Sequence, residues 1–173
     1  MSISFPGYQL PSELVALRDQ VRRFVREEIL PVEERIDPDS ADIPKEDFQR
    51  LAAKTKVAGL WALGAPEEYG GGGLDTFGMT VIYEEMAQHR MGLYNTGCGV
   101  FGRYPPPVIW RGTKAQIEKY AVPLIERGDE TFWAITEPSG GADPAGAIQC
   151  RGVKKGDRWI LNGTKIFISR AHD

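Results

Sequence analysis

The sequence predicts an α+β chain: an N-terminal all-α domain followed by an incomplete antiparallel β domain. Three observations predict it. Through the first two-thirds of the chain, apolar residues recur at the spacing of one helix face. Past Gly128 the pattern changes to β-branched and aromatic runs separated by turn residues. The last of these runs stands just before Asp173, so the strand set has open edges, a poor end for a stable domain. The expected division is residues 1–129 for the helical domain and 130–173 for the start of the β domain.

The first helix is expected from Ser12 to about Ile29. Leu14, Leu17, Val21, Phe24, Val25 and Ile29 share one face, Ser12 is placed to cap the start, and Pro31 closes the segment. The intervening Arg22, Arg23, Arg26 and Glu27 read as a solvated face. A second helix begins near Pro44, carries Phe48, Leu51 and Ala52 inward, and stops at Gly59. Pro66-Glu67-Glu68-Tyr69 then leads into the glycines Gly70 to Gly73, which read as a loop. No Gly-Lys-Ser/Thr follows, so a nucleotide phosphate loop is disfavoured. Asp75 or Thr76 caps a third helix running to about Arg90, with Phe77, Val81, Ile82 and Met86 inward. Thr113 caps a fourth, Lys114 to Glu126, ended by Gly128. Four strands are expected beyond it: Thr131 to Thr136, Ala147 to Lys154, Arg158 to Leu161 and Lys165 to Ser169. Lys155-Gly156-Asp157 reads as a turn, and Asn162-Gly163 as a hairpin turn.

Composition narrows the function classes. The 173 residues carry 21 basic and 24 acidic side chains, a net charge of −3, with 42% hydrophobic and 26% charged residues. That balance excludes a collagen or a disordered chain and gives no basic stripe for nucleic acid. Cys98 and Cys150 form no Cys-x-x-Cys pair, and His89 and His172 are the only histidines, so no metal site is expected. A disulfide between the two cysteines stays open, with two free thiols the simpler alternative. The N-terminus lacks a basic start and apolar run, and no apolar stretch reaches membrane-spanning length. A cytoplasmic protein is the default expectation.

The chemistry is concentrated in Ala134-Ile135-Thr136-Glu137-Pro138-Ser139-Gly140-Gly141-Ala142-Asp143. A strand running into a loop of small residues offers bare backbone N–H groups to a phosphate or planar ligand. Read alone, such a loop is as easily a plain turn. From their own residue types alone, Thr136 reads as an ordinary strand residue and Phe167 as an ordinary core aromatic. Glu84 and Glu85, adjacent on a helix, point about 100° apart and make no two-carboxylate site.

That run resembles the acyl-CoA dehydrogenase signature, in which a Thr-Glu-Pro stretch enters a Gly-rich loop. Asn162-Gly163-Thr164-Lys165-Ile166-Phe167-Ile168-Ser169 resembles the family's second motif, Pro66-Glu67-Glu68-Tyr69-Gly70-Gly71 its Pro-Glu-x-x-Gly-Gly loop, and Glu84-Glu85-Met86-Ala87 its third-helix acidic pair. Order and spacing agree along essentially the whole chain. The resemblance implies a FAD flavoprotein with a helical domain, a middle β domain and a C-terminal helical bundle, of which this chain supplies the first and the opening of the second. It implies that Trp133, Ile135 and Thr136 border the flavin, with the Thr136 hydroxyl bonded to the ring system. It also implies that Phe167 packs on the isoalloxazine, beside Ile168, and that Ser169 bonds its polar edge. The sequence departs at Ala142, where the family has Ser or Thr. There only a backbone N–H is left for the flavin pyrophosphate or thioester substrate, a loss of about 1–2 kcal/mol.

The implied reaction is oxidation of an acyl-CoA thioester to the 2,3-enoyl-CoA. A carboxylate removes the α proton, a hydride leaves for the flavin, and electrons pass on to an electron-transfer flavoprotein. In the family the base lies in the C-terminal region, so no catalytic residue is expected in this chain, and Glu137 is expected to be structural. The chain alone is therefore expected to be inactive. The family also implies a homo-oligomer, dimer or tetramer, and an acyl pocket walled partly by Asn95 to Phe101. The rivals are a non-enzymatic helical interaction module or split-enzyme subunit on the same fold, and a related flavin oxidase or monooxygenase.

Overall fold

A computed structural model describes residues 9–37, 40, 43–89, 99–103, 105–129, 131–168 and 171. The chain divides into two compact units, Met1–Glu130 and Thr131–Asp173. The first is helical. The second holds a small antiparallel sheet of two strands.

Helix α1 (Ser12–Phe24) buries Leu14 and Val21. Pro11, not Ser12, occupies the cap position, and the Ser12 hydroxyl donates to Glu13 at 3.1 Å instead. Pro31 does not close the helix. A wide π turn at Val25–Ile29 carries it on into α2 (Leu30–Glu33), with the Leu30 N–H reaching back five residues to the Val25 carbonyl. A proline ring clashes with the carbonyl four residues before it, and a widened turn moves that carbonyl aside. The same device recurs later. A π turn at Ile117–Ala121 separates α5 (Lys114–Gln116) from α6 (Val122–Arg127), the Val122 N–H bonds to the Ile117 carbonyl, and Pro123 follows. What reads in the sequence as one helix from Lys114 is thus three joined pieces, begun by a reciprocal Thr113–Gln116 capping box and ended at Gly128, where φ is 75°.

Helix α3 (Lys45–Val57) turns Leu51 and Ala52 inward as expected, with Phe48 partly buried. Helix α4 (Thr76–Met86) starts at Asp75, whose carboxylate accepts from the Gly78 N–H at 2.7 Å. Its inner face differs from the expected one: Gly78, Met79, Ile82, Glu85 and Met86 are buried, while Phe77 is 44% exposed. The reason is electrostatic. Arg22 of α1 grips the Glu85 carboxylate with two nitrogens, Nε on Oε2 at 2.9 Å and the second on Oε1, which draws an acidic position inward and rotates the stripe away from Phe77. The core of the unit lies where α1 and α4 meet, around Val21, Val25, Ile29 and Ile82, each at most 1% exposed. Each such side chain contributes about 1.5–3 kcal/mol by leaving water.

In the second unit, α7 (Pro144–Ala147) is a single helical turn, and β1 (Arg151–Lys155) pairs with β2 (Arg158–Asn162). The register sets Arg151 opposite Asn162 and Lys155 opposite Arg158 across a two-residue turn at Gly156-Asp157. Trp159 and Leu161 share one face of the pair, as their alternation predicts. Every residue of both strands is exposed. Two expected strands do not form among the described residues. Residues 131–136 are irregular up to an isolated bridge between Glu137 and Gly140. Residues 163–168 are irregular too, and Phe167 has φ of +57°, which no strand residue adopts. A strand exists only by pairing along its length, and here each run makes single contacts rather than a ladder. Asn162-Gly163 accordingly ends β2 instead of turning a hairpin. Among the described residues, no helix is long and apolar enough to cross a membrane.

Candidate functional site

The Thr-Glu-Pro run and the Asn-Gly-Thr-Lys run, distant in sequence, meet in the second unit. The Ile166 N–H donates to the Thr136 carbonyl at 3.0 Å, and the Lys165 ammonium donates to the Ile135 carbonyl at 3.0 Å. Glu137 then opens a tight turn: Pro138 and Ser139 form the corner, and the Gly140 N–H returns to the Glu137 carbonyl at 3.1 Å. Gly140 is required by a close approach, since a Cβ there would lie 2.5 Å from the Ala147 methyl. Gly141 stands in ordinary contact with Thr136, 3.8 Å from its methyl to the position of a Cβ. Asp143 caps α7, accepting from the Gly146 N–H at 3.1 Å, with Pro144 in the first turn.

The Glu137 carboxylate is buried among the described residues of this unit. It is 5% exposed and accepts from the Gln149 N–H at 2.7 Å, the Cys150 N–H at 3.0 Å and the Lys165 ammonium at 2.8 Å. The Lys165 hydrogen bond above all, with the Gln149 N–H next, outweighs burial and holds its carboxyl at about 2. A carboxylate so engaged stays ionised near neutral pH and is weakly basic. Its role was visible in the sequence only as membership of a turn, because Lys165 lies 28 residues away.

The expected site residues fall as follows. Thr136 and Ile135 stand at the meeting of the two runs, Thr136 half-buried and Ile135 38% exposed, and Ile168, two residues past Ile166, is half-buried. Phe167 follows Ile166 directly, its ring 89% exposed. Trp133 is 56% exposed three residues before Thr136, and Ala142 is exposed on the small-residue loop. Ser169 lies outside the described residues, as do Arg90, residues 95–98 of the expected acyl wall, Cys98 and His172. The described end of that wall, Val100 and Phe101, is buried in the helical core, with Phe101 edge-on to Phe24 at 5.3 Å. Cys150 is a free, half-buried thiol.

The Pro-Glu-Glu-Tyr-Gly-Gly motif belongs to the helical unit. Tyr69 stacks on Trp110 at 5.7 Å and 10°, and walls a cleft of about 800 Å³ with Lys56, Trp61, Lys114 and Glu126. Lys56 sits 4.3 Å over the Trp61 ring and donates to the Glu126 carbonyl, so one of the cleft's two lysines faces its aromatic wall.

A helical unit followed by a small antiparallel hairpin is the architecture of the N-terminal part of acyl-CoA dehydrogenases. The family model described as "Acyl-CoA dehydrogenase, N-terminal domain" matches residues 11–128, and the chain belongs to that family. It is 35% identical over 164 residues to the 3-(aryl)acrylate reductase of Clostridium sporogenes, covering 90% of this chain and 40% of that relative. Among solved structures, it matches the acyl-CoA dehydrogenase of Geobacillus kaustophilus with a TM-score of 0.63 and 31% identity, over 92% of this chain and 40% of that one. It matches the Bacillus anthracis acyl-CoA dehydrogenase complexed with FAD with a TM-score of 0.60 and 27% identity, over 95% of this chain and 28% of that one. The chain spans about two-fifths of the length of the curated relatives it matches.

Proposed function

We propose that this chain is the N-terminal part of a FAD-dependent dehydrogenase that oxidises an acyl-CoA thioester to the 2,3-enoyl-CoA. The observation that carries the proposal is the meeting of the two signature runs at Thr136 and Ile166, which sets a hydroxyl, an exposed aromatic ring and a bare loop in one small unit. Bound FAD supplies the two-electron acceptor for the hydrogen lost from the acyl chain. Around it, the Thr136 hydroxyl would hydrogen-bond the ring system, Phe167 would pack against it, Ser169 would bond its polar edge, and Trp133 and Ile135 would border it. The backbone N–H of Ala142 serves the pyrophosphate or the thioester. No residue of this chain is assigned as the base, and the chain by itself is expected to turn over no acyl-CoA. The proposed acceptor is an electron-transfer flavoprotein and the proposed assembly a homo-oligomer, dimer or tetramer.

A second reading has one specific observation behind it. The Clostridium sporogenes relative is named as a reductase of an aryl-substituted acrylate, which favours saturation of a carbon–carbon double bond on the same scaffold. The test is to purify the full gene product, reconstitute it with FAD and mix it anaerobically with acyl-CoA thioesters. Bleaching of the flavin, with turnover to a dye acceptor, supports the dehydrogenase. Reoxidation of chemically reduced flavin by an acrylate, with no bleaching by thioesters, favours the reductase. Reoxidation by dioxygen within the turnover time points to an oxidase. No uptake of FAD overturns the flavoprotein reading.

A further inference from the structure

We propose that Glu137 and Lys165 are positioning residues: paired, they set where Thr136 and Phe167 stand toward the flavin without touching it themselves. The inference rests on the flavin reading above for what those two residues face. Its basis is geometric. Both strands of this unit are exposed along their whole length, yet Glu137 is enclosed. Its carboxylate collects donors from the segments at 149–150 and at 165, with Oε2 on the Gln149 N–H and Oε1 shared by the Cys150 N–H and the Lys165 ammonium. Lys165 places a further proton on the Ile135 carbonyl. One carboxylate and one ammonium therefore tie residues 135–137, 149–150 and 165 into a single knot of charge-assisted bonds. Between its ends runs the bond from Ile166 to Thr136.

The knot bears on ligand contact through Phe167. That residue holds the left-handed backbone conformation, φ +57°, with its ring 89% exposed. A non-glycine residue keeps that conformation only where its neighbours are fixed, and such strain collects at ligand-facing positions. No burial of the ring compensates it here. Lys165 and Ile166 fix the chain immediately before Phe167, as Glu137 fixes it immediately after Thr136. The two proposed flavin contacts are thus each one or two residues from a held atom, and both are held by the same pair.

The test compares the unaltered full gene product with Lys165→Ala, Lys165→Arg and Glu137→Gln. Three readouts are taken: the FAD dissociation constant by flavin fluorescence, the shape of the bound flavin's absorption band, and amide hydrogen exchange at Gln149, Cys150 and Ile166 without FAD. The expected result for Lys165→Ala is FAD binding weakened about tenfold, a broadened band and faster exchange at Ile166. Lys165→Arg, which still donates to a carboxylate, is expected to restore the band shape and most of the affinity. If Lys165→Ala does not fold, Lys165→Met carries the same comparison. Unaltered FAD affinity and band shape in Lys165→Ala and Glu137→Gln would overturn the inference and leave the flavin reading standing. Failure of the unaltered protein to take up FAD would overturn both that reading and the flavin role of the pair. Unchanged exchange at Ile166 in Lys165→Ala would overturn the knot itself.

Discussion

At the scale of single residues, close contacts fix two positions that bear on stability. Gly71, in the Pro-Glu-Glu-Tyr-Gly-Gly motif, lies so close to the preceding turn that a Cβ would sit 2.1 Å from the Ala65 carbonyl oxygen. Backbone cannot give way as a flexible side chain can. Gly71→Ala is therefore expected to destabilise the helical unit by about 3 kcal/mol, read as a lowered urea midpoint of the full gene product. Glu137 is the other. Its folded pKa, about 2, lies below the ordinary 4.5, so its contribution to stability is present above pH 4.5 and is lost as pH falls from there toward 2. A carboxyl chemical-shift titration is expected to place the Glu137 midpoint near 2, and Lys165→Met, which removes the largest cause, to move it up toward 4.5. A midpoint unmoved by Lys165→Met would mean that the backbone donors alone hold the charge.

At the scale of elements, charge and proline modify what periodicity lays down. The helix starts at Asp75 and Thr113 and the stop at Gly128 were legible, because caps and left-handed stops are local chemistry. The continuation past Pro31 was not, because a π turn trades one hydrogen-bond register for another and leaves no mark in composition. The inward face of α4 was misread at Phe77 for a different reason: Glu85 is buried only because Arg22, 63 residues earlier, is there to receive it. Removing Arg22 leaves that carboxylate enclosed without its partner. Arg22→Ala is expected to cost about 2 kcal/mol, and the double change with Glu85→Ala less than the sum of the single ones, measured as a double-mutant cycle by urea unfolding.

At the scale of the whole molecule, the two units differ in how much they can support alone. The helical unit has a contiguous apolar core running through Val21, Ile29, Leu51 and Ile82. The second unit has a two-stranded sheet exposed throughout, and an isolated hairpin is marginal in water. Expressed separately, residues 1–130 are expected to melt cooperatively by far-UV circular dichroism, and residues 131–173 to show no cooperative transition. A cooperative melt of the shorter piece would mean that the Glu137 knot stabilises more than its size suggests. The sequence by itself determined the helical unit, the turn at Gly156-Asp157, the motif order and hence the family, because those depend on local spacing, capping and turn chemistry. Only the tertiary structure decided that the runs at 131–136 and 163–168 touch without forming strands, that Glu85 turns inward, and that Glu137 and Lys165 join. Each of those outcomes depends on a partner far away in the chain, and a partner's distance is not written in the residues on either side.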